Sequence, residues 1–360
     1  MYYSSQEGLT RQLEKLNHGV AIILACEKNF SFQDIQPHLQ ASKIPVVGAF
    51  FPGVIANEEL HYTGFILLHF STDFEILIHD STKIETIKFE NSEIKQGTGF
   101  IIMDGLADGN QEFLNKLFYQ YGNAFRFIGS GAGSLDLVQK PCIFDDQGIY
   151  ENKAIIVLLK TKVSIGLKHG YSRIAGPLIA TETNASKIVE LNWENAYETY
   201  ASIVNKHSDL PISKDDFFNV SKGFPFGVSR KGHEDIVRDP ISVDSNGTMN
   251  CIDDVPENGA LYVLKGEPSK LIQAAKDSCA EAISQTTYEP SHCILIDCVT
   301  RVLYLEDRFK DEINTATTEI HSAFKNLPVE GILSMGEIST FKDGRLELYN
   351  KTFLTALIHE

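Results

Sequence analysis

Residues able to do chemistry gather in two stretches of this 360-residue chain. Towards the C-terminus, Cys298, Arg301, Glu337, Tyr349, Asn350 and Thr352 fall at the ends of β-rich apolar runs. An arginine just past a buried strand can hold a carboxylate by two parallel hydrogen bonds. Glu337 follows Gly336 in a glycine loop, and Asn350 and Thr352 are two apart, which puts them on one face of a strand. Donors and acceptors gathered at one loop suit an amino acid or another polar ligand. The plainer alternative is an internal Arg301–Glu337 or Arg301–Glu312 ion pair, since buried charges are normally paired. The second stretch is IGLKHGYSRIAGP, where His169 has Tyr171 and Arg173 close by. Such a histidine can hold a metal or a haem iron. Its plainer reading is an exposed loop histidine. There is no CxxCH, so any haem would be bound without a covalent link.

Other chemistries find little support. GSGAG, with Gly129, Ser130, Gly131 and Gly133, looks like a dinucleotide loop, but Ser134 breaks the spacing and SLDLVQKP does not open a helix. No P-loop, G-x-S-x-G elbow or metal-spaced histidine pair is present. A hydrolase would have to use Cys298 or Glu337, and neither has a base at a telling spacing.

A unit that occurs three times must position these residues. It opens with a buried strand: GVAIILAC, GFIIMDG or HCILIDC. A helix follows. Phe113, Leu114, Leu117, Phe118 and Tyr121 mark one apolar stripe, and Ile313, Ala316, Ile320, Ala323 and Phe324 another. The first helix is weaker; Ser31 is its expected cap, with Pro37 near its first turns. Next comes a glycine-broken strand: VVGAFFPGVI, FIGSGAGSL or GILSMGEIS. Glycine there lets backbone approach backbone or a ligand, so a lined pocket is expected. A hairpin closes each unit, with turns at Asn57, at 145–148 and at Lys342-Asp343-Gly344. Between the second and third units lie a strand and helix within 186–207, a polar stretch of short strands, and a strand leading to a helix striped by Leu271, Ala274, Ala275, Cys279 and Ala282. The expected class is mixed α/β (α+β), with helices on the outer faces of mixed sheets. A boundary near Glu190 to Trp193 divides it into domains at 18–191 and 192–358.

Composition sets the remaining bounds. A net charge of -16 argues against nucleic acid and against an anionic membrane surface, and fits an ordinary soluble bacterial protein. No apolar run reaches the ~18 residues of a membrane span. The N-terminus has no signal core, and the six cysteines show no paired spacing. Buried reduced thiols and a cytoplasmic location are expected.

Taken together, VVGAFFPGVI, IIMDGLADGNQEFL, FIGSGAGSL, the run from IGLKHGY to NAYETY, FPFGV, IVRDPISVD, ILIDCVTR, GILSMGEIS and LYNKT resemble the FIST family across nearly the whole chain. The resemblance implies an N-terminal and a C-terminal FIST domain forming a non-enzymatic sensory module for small ligands. It also implies output to a kinase, cyclase or chemotaxis receptor. With no room for such an output domain, the chain is similar to stand-alone members that resemble haem-based nitric-oxide sensors acting on a separate histidine kinase or cyclase. That likeness makes haem b the expected cofactor and His169 its expected ligand. An amino acid or other small metabolite, held by Arg301, Glu337 and Asn350, is the alternative. Phe50, Phe51 and Tyr349 depart from the family's usual residues, and the two phenylalanines fit either a closed first pocket or an apolar wall for a porphyrin.

Overall fold

The computed structural model describes residues 1–28, 31–89, 91–230, 234–340 and 344–360. All three units are present. In the first, strand Val20–Cys26 leads through helix Phe32–Gln40 to strand Val46–Phe51. Then come the hairpin Val54–Ala56 and Glu59–His61 and the closing strand Phe65–Phe70. The second runs Gly97–Asp104, helix Asn110–Tyr121, Phe125–Ala132, hairpin Ile143–Asp145 and Ile149–Tyr150, and Lys153–Leu159. The third runs His292–Cys298, helix Phe309–Ala323, Val329–Ser334, hairpin Glu337–Thr340 and Leu346–Tyr349, and Phe353–His359.

In each unit the opening strand lies between a parallel glycine strand and the antiparallel closing strand. The glycine that breaks the strand has one job in all three. Gly48, Gly129 and Gly331 face Ile23, Ile101 and Leu295 in register. A Cβ at these glycines would lie 2.3, 2.1 and 2.3 Å from the facing carbonyl oxygen. Only a residue without a side chain fits there.

The hairpins are exchanged. That of the first unit extends the sheet of the third, that of the second extends the first, and that of the third extends the second. The exchange closes a ring, and the inner faces of all three sheets share one core. An added outer strand completes each sheet: Tyr2–Tyr3, Phe74–Asp80 and Lys162–Lys168. Helices cover the outer faces. Asn110–Tyr121 buries Phe113, Leu114, Leu117 and Tyr121, each contributing about 1.5–3 kcal/mol.

An eight-stranded sheet from Ser172–Asn184 to Ala260–Lys265 forms a separate layer with its own core. The boundary expected near 190–193 falls inside it: Lys187–Leu191 pairs with Glu194–Asn195, and also with Met249–Cys251. Strand pairing thus continues across this position, and the third unit closes a ring that the first two begin. Pro37 is the sixth residue of its helix, not in its first turns, while Ser31 caps through Asp34 as expected. Ala323 is exposed and leaves the apolar stripe. Lys342 and Asp343 lie outside the described residues.

Candidate functional site

The glycine loops meet at the ring's centre, where protein backbone fills the space expected for a ligand. Gly133 N–H donates to Phe50 O, Met335 N–H to Gly131 O, Gly131 N–H to Gly336 O and Leu333 N–H to Gly53 O, at 2.8–3.0 Å. A Cβ at Gly131 would lie 2.7 Å from Met335 O. These glycines serve backbone packing, and 129–132 of the GSGAG run are strand, with Gly133 just past its end. Phe50 and Phe51 are buried, with Phe50 packed on Phe144.

The threefold register identifies residues that depart from the pattern. Ala25, Met103 and Asp297 are equivalent, each one residue before the end of its opening strand. Val54, Ile143 and Glu337 are equivalent in the hairpins, where they face Ile332, Ala49 and Ser130. Apolar residues in two units become carboxylates in the third. Glu312 adds another, on the buried stripe of helix Phe309–Ala323. Where a fold breaks its own packing rule, function is the first explanation to test.

Arg301, fully buried, organises the centre of this cluster. Its Nη1 donates to His169 O at 2.7 Å and Lys351 O at 3.0 Å; its Nη2 donates to Leu271 O at 2.9 Å and to Glu312. Its Nε lies 3.3 Å from Asp297. Of the two pairs weighed from sequence, Arg301–Glu312 is the one present, and both Nη atoms are fully used, with Nε turned to Asp297. Glu337 Oε2 accepts from Thr352 N at 3.0 Å and Thr352 Oγ1 at 2.7 Å, whereas its buried Oε1 has no close donor among the described residues. Lys351, with φ of +58°, reaches Asp239 at 2.8 Å and Lys222 O at 2.9 Å. Asn350 donates to Asp253. Asn350 and Thr352 are therefore in a turn before the last strand, not on one strand face. Ser130 donates to Ser334 at 2.9 Å, which joins the second unit to the cluster.

Burial controls the electrostatics. Glu337 is pushed up to about 8 by burial, against the hydrogen bonds from Thr352 and Ser334 and the charge of Arg301. Asp297 is raised well above the carboxylate range by burial and by Glu312; Arg301 opposes this. Asp239 is raised by burial and pulled back by Lys351. Asp239, Asp297, Glu312 and Glu337 are four buried carboxylates around two buried cations, Arg301 and Lys351. With Glu337 and Asp297 held towards their neutral forms the two cations are balanced, and the cluster is short of positive charge only when those carboxyls ionise.

His169 is 5% exposed, which overturns the exposed-loop alternative. Its Nδ1 accepts from Tyr171 N at 2.9 Å, so the proton sits on Nε2, which faces Glu234 at 4.0 Å. With Nδ1 occupied by the Tyr171 N–H, only Nε2 is left to meet an iron, and it carries the ring's proton and faces Glu234. Its backbone is also held by Arg301. These surroundings do not fit a haem ligand. Burial pushes the Cys298 thiol up, away from nucleophile chemistry. The six cysteines are free and buried. Among the described residues, no group of three or more His, Cys, Asp or Glu is placed to hold a metal, and no helix is long and apolar enough to cross a membrane.

Sequence reasoning located Arg301, Glu337, Asn350 and Thr352, which the structure brings together, and His169, whose carbonyl joins them. It missed Asp297, Lys351 and Asp239 as members. Asp297 had a visible signal, a lone acid inside the apolar run ILIDC; Lys351 and Asp239 had none.

Residues 20–194 match the FIST N domain and residues 196–340 match the FIST C domain. Among curated protein sequences, none matches the chain.

Proposed function

We propose that this chain, which belongs to the FIST domain family, senses a small metabolite bearing an amino group, an amino acid in the simplest case. FIST domains are sensory domains of signal transduction that bind small ligands, not a catalytic family. The observation that carries this reading is the donor shortage in the third unit. Glu337 Oε1 is buried with no close donor among the described residues and at most a weak one in the Ser334 hydroxyl, and four carboxylates lie around two cations. An ammonium group supplies three donors and the positive charge that Glu337 needs once its proton has left. The way in passes Asn350 and Asp253, the latter half-buried where the cluster approaches solvent. Entry separates the turn at 350–352 from the eight-stranded layer that it joins. Binding therefore shifts the population of that contact. Its output goes to a separate histidine kinase or cyclase.

Calorimetric titration with a panel of amino acids and simple amines tests this. At least one should bind saturably to the wild type, and Glu337→Gln should weaken it at least tenfold while keeping the native melting profile. A ligand at 100 times its dissociation constant should also add about 2.7 kcal/mol of stability. No binding across the panel, or equal binding by Glu337→Gln, would overturn the reading.

A further inference from the structure

A second site lies at the opposite end of the third unit's sheet. A cleft of about 1270 Å³ opens between the outer strands Phe74–Asp80 and Lys162–Lys168. The crossing at Lys160 and Thr161 forms part of its wall. It exceeds the roughly 300–1,000 Å³ of a usual small-molecule pocket, so a small ligand would fill only part of it.

The wall holds four cations, Lys95, Arg126, Lys160 and Lys162, beside four acids, but the two sets are not paired one to one. Arg126 Nη1 donates to Val163 O at 3.0 Å and Gln285 Oε1 at 3.2 Å. That contact fixes the guanidinium while leaving Nε and Nη2 without a partner among the described residues. Lys162 also has no carboxylate partner among them, and Lys95 reaches only the Ser92 carbonyl. The acids of the same wall are mostly satisfied. Asp73 pairs with Lys160 at 2.8 Å, Glu75 accepts from Glu93 N and Ile94 N, and Glu360 accepts from Ser71 N and Oγ. Only Glu93 lacks such a partner among the described residues. Thr161, 5% exposed, lines the cleft with a hydroxyl that has no hydrogen-bond partner among the described residues. Unpaired cations are unexpected in a chain of net charge -16, where carboxylates are plentiful.

We propose that this cleft binds a small oxyanion, a carboxylate or a phosphate, with Arg126 as its anchor and Lys162 as the second cation. A guanidinium with two free donors held by a third matches the two oxygens of such a group. The site does not share a residue with the Glu337 cluster. Arg126 lies four residues along its strand from Ser130, which faces Glu337, so the two anchors are about 14 Å apart at ~3.4 Å per residue.

Titration with inorganic phosphate and with succinate, each against chloride at equal ionic strength, tests it. Saturable binding of at least one probe is expected, weakened tenfold or more in Arg126→Gln and several-fold in Lys162→Gln, with melting profiles unchanged. Phosphate alone binding assigns a phosphate ligand; succinate alone assigns a carboxylate. Binding that chloride reproduces, or that survives Arg126→Gln in full, overturns the proposal, as does binding of neither probe. Glu337→Gln should leave this binding unchanged, so failure here and failure of the amine reading are separate results.

Discussion

The first and third units share one backbone and differ in what they bury. At equivalent positions the first has Ala25, Phe51 and Val54, and the third has Asp297, Ser334 and Glu337. The first is a packing element. Its glycine strand holds Phe50 against Phe144, and its hairpin adds an apolar pair, Val54 on Ile332, to the neighbouring sheet. The third has exchanged apolar burial, worth about 1.5–3 kcal/mol per large side chain, for ions that are costly to desolvate. The same ring tolerates both. Architecture is therefore supplied by backbone pairing and the facing glycines, while specialisation is confined to side chains around one junction.

Breaking that contrast should have its largest effect at Arg301. Arg301→Met leaves Asp297 and Glu312 buried without their cation, and should cost about 3–5 kcal/mol by urea unfolding. Asp297→Ala with Arg301→Met and Glu312→Met, which gives the third unit interior an apolar character like the first, should recover most of that loss. A triple variant no more stable than Arg301→Met would show that the ions do more than balance one another.

The next effect is pH dependence. Glu337 titrates near 8 in the folded protein and near 4.3 unfolded. Between these values the folded state holds the extra proton, so stability is greatest below the unfolded value and is lost as pH rises through the folded one. Wild type should lose on the order of 3 kcal/mol more than Glu337→Gln between pH 5 and pH 8. Parallel stability curves would remove Glu337 from the account.

The smallest effect probes what the units share. Gly48→Ala, Gly129→Ala and Gly331→Ala each drive a Cβ into a facing carbonyl and should each cost about 1–3 kcal/mol. Matching costs support the threefold pattern; one neutral substitution would break it.

The sequence displayed what is local. GVAIILAC, GFIIMDG and HCILIDC are strands because apolar β-rich runs bounded by polar residues bury well, and the stripe Leu271, Ala274, Ala275, Cys279 and Ala282 is buried as its spacing requires. The Arg301–Glu312 pair was legible because an arginine beside a buried strand needs a counter-charge. The exchange of hairpins was not. Whether Val54 pairs within its own unit or with Ile332, far along the chain, leaves no trace in local periodicity. Lys351 is invisible for the same reason: its partner Asp239 comes from another sheet. The glycines were found for the right backbone reason and given the wrong neighbour, since close approach to protein and close approach to a ligand call for the same residue.

The central claim is that the third unit's buried carboxylates await a cation, and proton counting tests it most directly. At pH 7 Glu337 holds its proton, and an ammonium ligand needs the carboxylate bare. Titrating the wild type with its best-binding amine in two buffers of different ionisation enthalpy should show release of about one proton per ligand bound, and none from Glu337→Gln. Binding without proton release, or equal release from both proteins, would contradict the account.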